Sequence, residues 1–215
     1  MEGNEIPVAV IKRLPRYYRY LEELLENGVE RISSGELSAR MNVTASQIRQ
    51  DLNNFGGFGQ QGYGYNVEFL HNEIAKILGI DHTHNIIIVG AGNLGRALAN
   101  YANFAKRGFV VKGMFDSDEK VVGTKCRGAL VMPMEEMADF IKNNNIEIMA
   151  LTIPKTSAND VALVAVEAGI KGIWNFAHMD LTVPDDVVVE NVHLSESLMT
   201  LSFNLSRNEG GEALT

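Results

Sequence analysis

Two rhythms of apolar and polar positions divide the chain. Up to about residue 79 the apolar residues recur at helical spacing. From residue 80 to 193 short β-branched runs alternate with helical stretches. In the first part Leu14, Tyr18, Leu21 and Leu25 predict a buried stripe on one helix, opened by Pro15 and closed by Asn27-Gly28. A shorter helix over Ile6 to Leu14 precedes it. Ser33-x-x-Glu36 and Thr44-x-x-Gln47 are capping boxes for two further short helices, with only Asn42-Val43 between them. A longer helix followed by two short ones across a tight turn is helix-turn-helix spacing. In the last helix Ala45, Ile48, Leu52 and Phe55 can face inward, leaving Ser46, Gln47, Arg49, Gln50, Asn53 and Asn54 outward. A merely solvated face is richer in Glu and Lys; these side chains are ones that hydrogen-bond base edges and phosphates. The glycine–aromatic alternation of residues 56–66 predicts a tight hairpin, the wing of a winged helix, anchored by Phe58, Tyr63 and Tyr65 with Gln60 and Gln61 at its tip. Val67 to Leu78 is a further amphipathic helix, with Val67, Leu70, Ile74, Ile77 and Leu78 on its apolar side and Gly79 closing it.

The second rhythm centres on residues 85–116. Ile86 to Val89 is a strand, Gly90-x-Gly92-x-x-Gly95 follows it, and a helix carries Leu94, Leu98, Tyr101, Ala102 and Ala105 at helical spacing. A second strand, Phe109 to Asp116, then ends in an acid. Strand, glycines, helix, strand and acid in that order form the dinucleotide fingerprint. Gly90 permits the turn, Gly92 lets the backbone approach a pyrophosphate, and Gly95 lets helix and strand pack closely. The helix N-terminus starting near Asn93, with Ala91 and Leu94 in the same turn, offers its N–H groups to phosphate. Asp116 can accept the adenosine ribose hydroxyls and would repel a 2′-phosphate, which favours NAD+/NADH over the phosphorylated cofactor. Beyond it lie a strand at Leu130 to Met132, a helix from Pro133, a strand over Glu147 to Thr152 and a helix capped by Ser157-x-x-Asp160 that ends at Gly169. A strand and loop over Gly172 to Ala177 and a last strand over Val187 to Val192 follow. The final helix carries Leu194, Leu198, Leu201 and Leu205, a stripe apolar enough to pack on another subunit.

The expected class is therefore α/β: a winged-helix DNA-binding domain (1–79), a Rossmann NAD(H)-binding domain (80–193), a C-terminal dimerisation helix (194–207) and a disordered tail (208–215), with the boundary near Ile80 to His84. Composition narrows this reading. The net charge is −8, which excludes indiscriminate coating of nucleic acid. It is unevenly shared: residues 1–66 carry 7 Lys+Arg against 8 Asp+Glu, with Lys12, Arg13, Arg16 and Arg19 clustered, whereas residues 67–215 carry 12 against 19. A single cysteine, Cys126, builds no internal disulfide framework and fits a reducing cytosol; no signal core or membrane span is evident. The expected location is cytoplasmic.

Hydride chemistry needs an acid or base at the reacting carbon. Lys155 and His178 are candidates near strand ends, but neither has a carboxylate orienter in sequence. The histidines show no metal spacing beyond His82-x-His84, which lies in the interdomain turn. A DNA-reading head on an NAD(H) domain without catalytic residues reads as a cofactor sensor and not an enzyme. The alternatives are an NAD-dependent oxidoreductase, or a regulator sensing another nucleotide or coenzyme A.

Several segments together resemble the Rex family of redox-sensing transcriptional repressors. They are Ile6-Pro7, Lys12-Arg13-Leu14-Pro15, Tyr17 to Leu21, Gln47-Ile-Arg49-Gln-Asp51-Leu52, Gly62-Tyr-Gly64-Tyr65, Gly90 to Gly95, Asn175-Phe176-Ala177 and Val188-Val-Glu190-Asn191, spread over residues 6–206. The resemblance implies a homodimer on a palindromic operator, joined through an exchanged C-terminal helix. NADH would release the DNA, NAD+ would permit binding, and the genes controlled would serve anaerobic and fermentative metabolism. It implies that Tyr101 lies near the nicotinamide and that Thr152 and Pro154 line that end. A neutral dihydronicotinamide would suit an apolar interface, for which Phe104 and the partner's Leu194 are candidate walls, and Asn175 is a further cofactor candidate. The candidate DNA contacts are Lys12, Arg13, Arg16, Ser46, Gln47, Arg49, Gln50, Asn53, Gln60 and Gln61. The chain departs from the family at Gln50 and at Gln60-Gln61, where basic residues are common, and at His193, where an acid is.

Overall fold

The computed structural model describes residues 6–56, 59–60 and 63–209, with Gly59, Gln60, Asn208 and Glu209 as backbone only. The chain divides into two units, Met1–His82 and Thr83–Thr215.

The first unit comprises α1 (Val8–Ile11), α2 (Leu14–Glu26), β1 (Arg31–Ile32), α3 (Ser34–Met41), α4 (Ala45–Asn53), β2 (Gly59–Gln60), β3 (Gly64–Asn66) and α5 (Val67–Ile77). The strands form a three-stranded antiparallel sheet in the order β1-β3-β2, so the wing is present beside a helix-turn-helix. Ser33 and Glu36 form the reciprocal capping box, and Asn42 takes a left-handed conformation to end α3. Thr44 caps α4 by accepting from Gln47 N, while the Gln47 side chain turns elsewhere.

Three details of the predicted packing change here. The inward stripe of α2 is Leu14, Tyr17, Leu21 and Leu24, with Tyr18 and Leu25 only half buried. Tyr17 takes the core position because its hydroxyl finds a buried acceptor. In the wing Tyr65 is buried but Tyr63 is 70% exposed, and Phe58 lies outside the described residues. On α5, Ala75 is buried and Ile77 is exposed.

The second unit is a doubly wound sheet in the order β10-β9-β8-β4-β5-β7-β6. Its strands are β4 (His84–Val89), β5 (Phe109–Asp116), β6 (Lys125–Cys126), β7 (Ala129–Pro133), β8 (Ile148–Leu151), β9 (Gly172–Asn175) and β10 (Val188–Asn191). All pairings are parallel except that of the edge strand β6. The helices are α6 (Asn93–Asn100), α7 (Asn103–Lys106), α8 (Met137–Asn143, after a 3-10 turn at Met134–Glu136), α9 (Lys155–Ala168) and α10 (Leu194–Glu209). On one face Ile87, Val89, Phe115, Met149 and Leu151 pack on α8 and the alanines of α9. On the other, Ile88, Met114, Val131 and Ala150 pack on Leu98 and Ala99 of α6.

The predicted long helix after the glycines breaks at Tyr101, which leaves Tyr101 and Ala105 exposed, and α7 is a separate turn. The helix placed after Ser157 starts at Lys155 with Pro154 as its N-cap. Ser157 Oγ contacts Pro154 O at 3.3 Å and is no cap. The strand expected at Leu130 to Met132 is β7, and it pairs through a turn at Arg127-Gly128 with β6, an edge strand that the apolar pattern does not announce.

Candidate functional site

The strand order reverses around β4: β5 lies on one side and β8 on the other. In open α/β sheets ligands bind at such a switch point, outside the carboxyl ends of the strands. The segments that leave β4 and β8 meet there. Thr152 Oγ1 lies 2.9 Å from Val89 O and 3.0 Å from Gly90 O. Gly90 has φ +99°, and a Cβ on it would fall 2.7 Å from Thr152 O. A Cβ on Gly95 would sit 1.9 Å from Gly90 O, so α6 rests directly on the turn. At Gly92 a Cβ would meet nothing within 4 Å, and Gly92 caps α6 with no side-chain partner. The glycine turn is thus packed on its protein side and open on the other, with the uncapped N–H groups of Asn93 and Leu94 at the opening. That arrangement fits a pyrophosphate.

Asp116 closes the far end of this turn. Its Oδ2 accepts from Ala91 N at 2.6 Å and its Oδ1 accepts from Asp118 N at 2.9 Å. The carboxylate therefore shapes the turn. Arg96, which belongs to no part of the glycine fingerprint, donates from Nε to Ala91 O at 2.8 Å and from Nη2 to Thr124 Oγ1 at 3.1 Å. Its position directly after the third glycine was the available signal.

Beyond the turn runs an aromatic row. Tyr101 and Phe104 are 4.8 Å apart between ring centroids, Phe104 and Trp174 5.6 Å, and Trp174 and Phe176 4.6 Å. Tyr101, at the end of α6, is 49% exposed, and Thr152 and Pro154 lie where β8 leaves the sheet. Asn175, expected in the cofactor set, ends β9. It is fully buried, gives Nδ2 to Met179 O and Asn191 Oδ1 (each 2.8 Å), and accepts from Ala177 N at 3.0 Å. Both amide hydrogens are used, so it braces the loop after β9. Among the described residues neither Lys155 nor His178 bonds a carboxylate; His178 instead meets His193 edge to face at 5.2 Å. No group of three metal-ligating residues occurs among the described residues.

On the other unit, α4 exposes Ser46, Arg49, Gln50 and Asn53, and Lys12 and Arg16 are exposed on α1–α2. Gln61 lies outside the described residues, and of Gln60 only the strand backbone is described. Arg13 and Gln47 are not simple surface contacts. Arg13 donates from Nε (2.6 Å) and Nη2 (2.7 Å) to both oxygens of Asp51. Tyr17 Oη donates to Asp51 at 2.7 Å and Gln47 Nε2 at 2.8 Å. Asp51 is fully buried, a position that apolar periodicity does not reveal. Burial alone would push its carboxyl up, but the bonds from Arg13, Tyr17 and Gln47 hold it below the usual carboxylate value. The Tyr17 hydroxyl is pushed well up, first by burial and then by Asp51.

Comparison with known proteins follows this division. A family model described as putative DNA-binding protein N-terminus matches residues 5–53, and one described as CoA binding domain matches residues 81–179. The redox-sensing transcriptional repressor Rex of Thermoanaerobacter pseudethanolicus is 62% identical over 206 residues, covering 96% of this chain and 92% of the relative. The chain belongs to the Rex family. Rex of Clostridioides difficile is 60% identical over 204 residues, covering 94% and 97%. A Rex-family repressor, RSP, solved with β-NAD+ and operator DNA, superposes with a TM-score of 0.90 at 60% identity, covering 97% of this chain and 99% of that one. RSP with β-NADH gives 0.87 at 58% identity, covering 96% and 97%. Residues 6–206, on which the family resemblance was read, are thus matched almost throughout.

Proposed function

We propose that this chain is a redox-sensing transcriptional repressor: a homodimer that binds a palindromic operator and leaves it when NADH binds. The observation that carries this reading is a winged helix and an open, glycine-built dinucleotide turn in one chain. RSP, with the same architecture, has been solved with NAD+ on operator DNA and with NADH.

Dimerisation is supported by two uncovered apolar surfaces of the second unit. Along α10, Leu194, Leu198, Met199, Leu201, Phe203 and Leu205 are each more than half exposed. Across the sheet runs a cavity of about 400 Å³ whose floor includes Ile86, Ile148, Gly172 and Val188, one register row of β4, β8, β9 and β10. Phe104 and Trp174 wall it. The same two residues belong to the aromatic row that leads back to Tyr101. An exchanged α10 seated in this cavity would touch the walls that the nicotinamide approaches, which links cofactor state to dimer geometry.

The sign of the response follows from charge. NADH carries a neutral dihydronicotinamide, and NAD+ carries a cationic ring that is penalised in an apolar, dehydrated interface. A switch from mostly bound to mostly released DNA needs a differential affinity of about 10²–10⁴-fold, or roughly 3–5.5 kcal/mol, across the dimer. Tyr101, Phe104, Thr152 and Pro154 are the side of the cleft assigned to the nicotinamide, and Gly90 to Gly95 with Asp116 to the adenosine diphosphate. Lys12, Arg16, Ser46, Arg49, Gln50 and Asn53 are assigned to DNA. The protein performs no turnover in this reading and acts in the cytoplasm. Fluorescence anisotropy of a selected operator, titrated separately with NADH, NAD+ and coenzyme A, tests it. Release by NADH alone supports the assignment, and indifference to NADH refutes it.

A further inference from the structure

The recognition helix hides a buried ion at its centre, and that ion holds one of its outward side chains. Asp51 sits one helical turn after Gln47, with none of its surface exposed. Arg13 and Tyr17 fill both of its oxygens from α2, and Gln47 Nε2 reaches Asp51 Oδ1 at 2.8 Å. Fixing α4 to α2 would need only Arg13 and Tyr17. The Gln47 bond adds something else.

An ionised carboxylate only accepts hydrogen bonds. The end of the Gln47 amide that faces Asp51 is therefore the NH2 group, and the flip of the amide is settled by its partner. One N–H is consumed. One N–H and the Oε1 carbonyl remain, side by side and in fixed order, on a half-buried residue in the first turn of α4. The first turn is where helix-turn-helix proteins touch base edges. A donor next to an acceptor complements the N7 acceptor and N6 donor of adenine in the major groove; guanine presents two acceptors there.

We propose that Gln47 reads an adenine in each operator half-site, and that Asp51 is the positioning residue that fixes which edge of the Gln47 amide faces it. This rests on the operator binding proposed above. It goes beyond that reading by naming a base and the group that sets its recognition. The Arg13–Asp51 pair then neutralises itself inside the unit, and Arg13 helps to orient the reader.

The test is selection of operators from random DNA by the full-length protein and by Gln47→Ala and Asp51→Asn. The wild type is expected to select a palindrome with adenine at one symmetric position per half-site. Gln47→Ala loses that preference by about tenfold while keeping the others, the scale of one bidentate base contact. Asp51→Asn loses the preference at the same pair although Gln47 is still present, and the double variant is no worse there than either single one. An unchanged preference in Gln47→Ala overturns the base assignment. A uniform weakening in Asp51→Asn, with the adenine retained, overturns the positioning role. Selection of no operator by the wild type overturns the repressor reading itself and this proposal with it. Should Asp51→Asn fail to fold, side-chain amide NMR of the wild-type protein decides the role of Asp51. The Gln47 NH2 signals, identified by their loss in Gln47→Ala, are expected to show one proton protected from exchange. Two equivalent, fast-exchanging protons would overturn it.

Discussion

Replacing Gly92 by alanine adds a methyl group that meets no protein atom within 4 Å. The backbone there, φ −73° and ψ −167°, suits any residue. The fold should therefore be indifferent to the change, or gain up to about 1 kcal/mol through the stiffer unfolded chain. The methyl projects into the open side of the turn, where a pyrophosphate oxygen would approach the α6 N–H groups. Losing one or two charge-assisted hydrogen bonds, each about 1.5–3 kcal/mol, lowers NADH affinity about tenfold to several-hundredfold or more. Gly95→Ala reverses the pattern. Its Cβ would lie 1.9 Å from Gly90 O and 2.9 Å from Thr152 Oγ1, so α6 must move off β4. Overpacking and the disturbed Thr152 contact should cost about 3 kcal/mol. The assay is thermal unfolding with and without NADH, together with calorimetric titration. A ligand at 100 times its Kd stabilises by about 2.7 kcal/mol, and at the same concentration Gly92→Ala should lose from about half of that gain to nearly all of it while keeping the wild-type apo midpoint. Wild-type NADH affinity in Gly92→Ala would refute the placement of the pyrophosphate.

Three further outcomes are expected. Leu198→Glu puts a charge on the α10 stripe; losing a leucine's burial in two symmetric copies costs about 3–6 kcal/mol and raises the dimer Kd about 10²–10⁴-fold, as sedimentation would show. A variant that stays dimeric at micromolar concentration would contradict the exchanged helix. The Asp51 carboxyl is depressed in the folded state, so its stabilising effect is complete above the ordinary value of 3.8 and is lost as the pH falls below that value. Acid unfolding should therefore be less steep in an Asp51→Asn chain, and an identical slope would remove Asp51 from the acid response. Trp174 is the one tryptophan of the chain and touches Phe104 and Phe176, so NADH should quench its emission. Trp174→Phe should abolish the signal, and emission indifferent to saturating NADH would place the cofactor elsewhere.

The parts of the fold legible in sequence were those written in backbone geometry. Gly90 and Gly95 are needed because Thr152 and the Gly90 carbonyl occupy the space a side chain would take, and glycines spaced that way after a β-branched run report it directly. Ser33, Glu36 and Thr44 marked helix starts because they satisfy orphan N–H groups. What periodicity could not show were positions where a polar partner decides the packing. Tyr17 displaces Tyr18 from the core because Asp51 accepts its hydroxyl. Asp51, a charged residue that forms no part of the apolar stripe, is buried because Arg13, Tyr17 and Gln47 complete its bonds. Asn175 ends strand β9, and the sequence does not show that its side-chain amide is bonded to Met179, Asn191 and Ala177. Tyr101 continued a helical spacing that the chain abandons at that residue. The edge hairpin at Lys125 to Ala129 has too few apolar residues to announce a strand.

The most direct test of the redox-sensing account is operator occupancy at fixed total NAD(H), measured as the ratio of NADH to NAD+ is varied. The account predicts that occupancy falls steeply as the ratio rises, and that the fall vanishes in Gly92→Ala while operator binding persists. Occupancy that depends on total cofactor and not on the ratio, or that is the same with and without cofactor, would contradict it.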